Sequence, residues 1–152
     1  MVRVQFDLYQ IDSWDGNSTL RGPDKLKVFV NDHLVDLGFF SAEDSDTRVR
    51  SGTAVDGAIR WKCDYIDRSK AGIFGPVVDK RHGVTIDIPE IFLSPSDALT
   101  LQFFADVSEG NLNEPAGIDN LLIITCPRDV PFPFTPTSGT RTLAGGRSAA
   151  CM

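Results

Sequence analysis

The residues able to do chemistry gather in two acidic stretches. The first, FDLYQIDSWDGNST (Phe6–Thr19), sets Asp7, Asp12 and Asp15 around a tryptophan and a glycine, with Asn17 and Asp24 just beyond. A turn needs one Asp or Asn, so three carboxylates after one strand form either a solvated acidic corner or part of a cation site. The second, NEPAGIDN (Asn113–Asn120), places Asp119 between Ile118 and the apolar run Leu121–Ile124, and NEPAGIDNLLIITC holds no Lys or Arg to pair it. On an exposed face such an aspartate is harmless. On a covered face it costs several kcal/mol unless paired or bound to metal. Calcium takes six to eight oxygen ligands and suits carboxylates mixed with backbone carbonyls and amides. Asp119, Asp7, Asp12 and Asp15 are therefore the candidate Ca²⁺ ligands, and simple exposure is the alternative.

Catalytic patterns are missing. Nothing reads as a nucleophile elbow, a phosphate-binding loop, a zinc-protease helix or a paired-cysteine knuckle. His33 and His82 both fall in turn-like contexts, NDH and DKRHG, where solvated side chains are expected. Paired carboxylates hydrolyse glycosides in some enzymes, but acids at strand ends are more often surface groups or metal ligands. The reading is non-enzymatic. A second candidate site is aromatic: Tyr9, Phe29 and Phe104 fall on the polar side of their strands' alternation, as a platform for sugar rings requires. The alternative is that the polar segment Ser41–Gly57 folds over and hides them. Asn17-Ser18-Thr19 is a glycosylation sequon, a triplet common by chance.

Bulk properties narrow the partners. The chain has 152 residues, 41% hydrophobic and 24% charged, and a formal net charge of −6. That size and composition suit one globular domain with a tail. The acidic balance argues against a nucleic-acid binder, which needs a basic face to meet phosphates. No apolar run approaches the roughly 20 residues of a membrane-spanning helix. The opening MVRVQFDLYQ already alternates, so it reads as a strand rather than a leader. Cys63, Cys126 and Cys151 are too few for a disulfide framework; a Cys63–Cys126 bridge and buried thiols are the two options.

The elements that position these groups are strands. Val2, Val4, Phe6 and Leu8 alternate with polar partners; Leu26, Val28 and Val30 do likewise before a turn at Asn31–His33 and a return through LVDLGFF. Ile59–Tyr65, Gly83–Ile88 (stopped by Pro89) and Leu99–Asp106 add three more. IDNLLIITC is nearly continuous in apolar residues, which predicts a strand covered on both faces. Ser41–Gly57 reads as a loop with a short paired piece, and Ser94–Thr100 as at most one helical turn. Many short strands separated by Gly, Pro, Asn and Asp predict an all-β antiparallel sandwich over residues 1–126. Residues 127–152, proline-rich and then small and polar, predict a disordered tail.

FDLYQIDSWDG, KVFVND and AGIDNLLI together resemble a jelly-roll sandwich module of secreted and cell-surface proteins, whose members read FDFYRIDSWDGE, FTVFVNG and GIDNVRI. The module is related in shape to MAM, laminin-G and calcium-bearing carbohydrate-binding modules. The resemblance spans Val2–Ile124 and is specific at its two ends. It implies a structural Ca²⁺ held by the aspartate of the final strand, here Asp119, and a binding face on a concave sheet or on the loops at one end. Such modules carry one or two strands ahead of the FDFYRIDSWDG strand, so the match predicts a sandwich lacking its first strand, with an open edge along Val2–Leu8. The function it implies is extracellular recognition or adhesion, with a glycan or cell-surface ligand, within a larger protein. A ligand-free spacer is the second reading and a sandwich-fold glycoside hydrolase the third.

Overall fold

A computed structural model describes residues 1–11, 13–18, 20, 22–42, 47–68, 79–93, 98–108 and 114–125. The expected tail, 127–152, lies outside them, as do Asp12, Cys126 and the first four residues, 94–97, of the expected Ser94–Thr100 turn.

Among the described residues ten strands follow in order: β1 (Val2–Gln10), β2 (Asn17–Ser18), β3 (Gly22–Pro23), β4 (Lys25–Val30), β5 (His33–Phe39), β6 (Arg50–Ala54), β7 (Ile59–Arg68), β8 (Lys80–Ile88), β9 (Leu101–Asp106) and β10 (Ala116–Thr125). A five-stranded sheet, β10-β1-β8-β7-β6, packs on a three-stranded sheet, β5-β4-β9; β2 and β3 form a small hairpin. Every pairing is antiparallel. The chain is an all-β sandwich.

Period-2 patterning builds it. β1 buries every second residue from Val2 to Gln10, and β4 buries Leu26, Val28 and Val30 opposite. Phe6 meets Phe103 of β9 edge to face, with ring centroids 5.0 Å apart. Ile59, Trp61 and Cys63 of β7 and Val84, Ile86 and Ile88 of β8 complete the core. Cys63 is a buried thiol. The Asn31–Asp32 turn brings Val30 opposite His33, with Asn31 at φ 50°. Asparagine tolerates that left-handed backbone better than most residues. The polar Ser41–Gly57 segment includes β6, which pairs with β7.

Three expectations need correcting. β1 has no open edge, because it pairs with β8 along Val2–Gln10 and with β10 on its other side. β10 is not covered on both faces. It is the sheet edge, and Leu121, Leu122 and Ile123 are 49%, 45% and 50% exposed. The cause is a difference in sheet width: β9 stacks over β1, so the smaller sheet stops before reaching β10. Finally, His82 is no turn residue. β8 begins at Lys80, and His82 points inward, fully buried against Phe40, Tyr65 and Gln10.

Candidate functional site

One end of the sandwich departs from the apolar pattern, and the segment after β1 explains why. Trp14 is buried and stands edge-on to Phe40 at 6.0 Å. Its indole N–H donates to the Pro115 carbonyl at 3.1 Å, which also accepts the Ile11 N–H at 3.2 Å. Indole bulk with one polar edge suits this anchoring role. The Ala42 N–H donates to the Trp14 carbonyl at 2.6 Å, and Asp15 bridges Ser41. Gly16 follows at φ +68°, where a Cβ would lie 2.9 Å from the Ser41 Cβ. The WDG motif is thus an anchor, a carboxylate and a left-handed turn too tight for any other residue.

The Asp24 N–H donates to the Gly16 carbonyl at 2.8 Å, and the Phe40 N–H to the Asp24 carbonyl at 3.0 Å. The fully buried Asp24 carboxylate takes two backbone donors: the Asp15 N–H on Oδ2, and the Ser108 N–H on Oδ1 at 3.1 Å. It therefore ties the loop after β1 to the segment after β9. Glu114, 1% exposed, enters from just before β10. Carboxylate oxygens of Asp15, Asp24 and Glu114 lie within 4.8 Å of one another, the only such trio of acids among the described residues. Oxygens bound to one Ca²⁺ at 2.3–2.6 Å are separated by at most about 5 Å, so the donor set fits that ion in type and span.

Positive charge approaches the same end from the starts of β8 and β6. Lys80, 1% exposed, donates to the Ser41 carbonyl at 2.9 Å, and the Arg50 guanidinium lies 4.5 Å from the centre of the Phe40 ring.

The predicted ligands Asp7 and Asp119 sit elsewhere. Asp7 and Asp119 are register partners between β1 and β10. Asp119 is exposed and accepts the Asn120 N–H at 2.7 Å. Asp7 accepts from Asn120 Nδ2 at 2.8 Å, with Arg81 3.9 Å away. Asp119 therefore meets the requirement of a charge in an apolar strand by exposure. It lies five positions along the chain from Glu114, about 17 Å if extended. Of the three expected ligands among the described residues, Asp7, Asp15 and Asp119, only Asp15 joins the acidic trio, with Asp24 and Glu114; Asp12 lies outside the described residues.

The aromatic platform divides as well. Tyr9 lies on the outer face of the five-stranded sheet, opposite Arg81. Arg81 forms a two-bond fork with Asp67, at 2.6 and 3.2 Å. That bond first, and Tyr9 after it, hold the Arg81 pKa above its ordinary value against the opposing effect of burial. Phe29 and Phe104 lie on the outer face of the other sheet, on the far side of the molecule. They occupy diagonal positions there, because Lys27 pairs with Phe104 and Phe29 with Gln102. Phe104 is 52% exposed and Lys27 bonds Asp106 at 2.6 Å beside it.

Comparison with protein-family models, with curated proteins and with solved structures finds no match for this chain.

Proposed function

We propose that the chain is a non-catalytic recognition module of the extracellular space or cell surface, with its loop end held together by Ca²⁺ at Asp15, Asp24 and Glu114. One observation carries the reading: three carboxylates from separate parts of the chain converge, two of them buried. Like charges held together away from water repel unless a cation lies among them. A divalent ion there would cross-link the loop after β1, the start of β4 and the entry to β10. Calcium sites of extracellular modules are weak, with dissociation constants of about 10⁻⁴–10⁻³ M, so the site would fill where calcium is millimolar. The face carrying Phe29, Phe104 and the Lys27–Asp106 pair is the proposed contact for a glycan or cell-surface ligand.

A hundredfold excess of Ca²⁺ over its dissociation constant should stabilise the fold by about 2.7 kcal/mol. Melting in Ca²⁺ and in EDTA tests this, and coincident curves would reject the ion. Screening the protein on glycan arrays tests recognition, with Phe104→Ala expected to lose binding at unchanged melting temperature. The spacer reading is favoured by the buried Lys80 at the same end, which supplies positive charge without an ion. It predicts coincident melting curves and an array without signal.

A further inference from the structure

Among the described residues the two packed sheets have four edge strands, and they differ in how they meet solvent. β6 is short and begins with Arg50; β5 carries His33 and Asp36, with a register shift near Gly38; β9 has six residues and ends on Asp106. β10 is ten residues long and contains no Lys, Arg or Pro. Its irregularity is a bulge at Asn120 and Leu121, opposite Phe6, with Asn120 at φ 53°; beyond it Leu122–Thr125 run in regular register with Val2–Gln5. Protein edges are ordinarily blunted by charge, proline, shortness or a bulge. From Leu122 to Thr125 there is no charge, proline or bulge. Ile123 pairs with the fully buried Val4 and so shares its inward face, yet is half exposed, because among the described residues nothing extends the smaller sheet over β10.

We propose that the outer edge of β10 is a dimer interface, on which a second copy of this chain pairs Leu121–Thr125 antiparallel about a two-fold axis through Ile123. The segment is its own complement. An antiparallel self-pair must bring one residue opposite its own copy, and with Ile123 there, Leu121 faces Thr125 and Leu122 faces Ile124. Every opposed pair is uncharged, so a chain of net charge −6 meets its copy without like charges opposed across the new ladder. The pairing supplies the main-chain hydrogen bonds that the edge strand lacks from within its sheet. It also sets the two inward ledges of Leu121 and Ile123 side by side, joining two five-stranded sheets into one of ten strands.

Sedimentation over a concentration series tests the proposal on the full chain. The expected result is a species of twice the 16.6 kDa chain mass. Ile123→Lys and Ile123→Glu should each be monomeric, because each places like charges on the axis. Their equimolar mixture should restore a dimer, which only a self-paired position predicts. Leu122→Lys, on the outer face, should also dissociate it, and serves if the Ile123 variants fail to fold. A parent that stays monomeric throughout overturns the proposal. A dimer that persists in Leu122→Lys places the interface elsewhere and overturns it too.

Discussion

Replacing Gly16 with alanine should damage the acidic corner through the backbone alone. Gly16 sits at φ +68°, and the added Cβ would lie 2.9 Å from the Ser41 Cβ. The left-handed backbone costs an L-residue about 1–2 kcal/mol. Forcing a methyl into a packed contact adds about 1–3 kcal/mol. The sum is about 2–5 kcal/mol. At roughly 2–4 °C per kcal/mol for a domain of this size, the melting temperature should fall by about 5–20 °C. Gly57 supplies the control: its φ is +88°, with nothing within 4 Å of an added Cβ. Gly57→Ala should therefore show the backbone cost alone, about 1–2 kcal/mol. Chemical denaturation of both variants beside the parent reads the difference. Equal losses at the two glycines would refute the close approach of Gly16 to Ser41, and with it the packing that holds Asp15 in place.

Two further outcomes test the frame around the site. Phe6→Ala removes a ring that is 2% exposed and packed on Phe103, and should cost about 3–5 kcal/mol in urea unfolding. A loss under 1 kcal/mol would contradict the stacking of β9 over β1. Arg3 donates twice to Asp87, at 2.6 and 2.9 Å, and the Asp87 side chain is 7% exposed. A double-mutant cycle with Arg3→Met and Asp87→Asn should give a coupling of about 1–3 kcal/mol, more than a surface pair contributes; additive single effects would contradict the geometry.

Where alternation was unbroken, the fold was legible. Val2–Leu8 and Leu26–Val30 each read as half-buried strands, and each is one; of Leu99–Asp106 the strand covers Leu101–Asp106. His82 was not, because Lys80, Arg81 and Gly83 around it read as a turn, while in the fold Lys80 reaches a loop carbonyl and the chain stays extended. The edge position of β10 was hidden for a different reason. An apolar run shows that burial is available, and only the width of the facing sheet decides whether it happens.

The acidic site was half legible. Asp15 stands out in the sequence beside Trp14 and Gly16, and Asp24 follows just beyond them. Glu114 does not stand out as Asp119 does, since an acid inside an apolar strand is conspicuous and one before a proline is ordinary. Register gives the missing signal: Gln10 pairs with Ala116, so the residues just before β10 must lie at the loop end where β1 also finishes.

Calcium titration by isothermal calorimetry, on the parent beside Glu114→Gln and Asp119→Ala, tests the central claim most directly. The account predicts one site in the parent, the same site in Asp119→Ala, and none in Glu114→Gln. No heat in the parent, or binding abolished by Asp119→Ala and retained by Glu114→Gln, would contradict it.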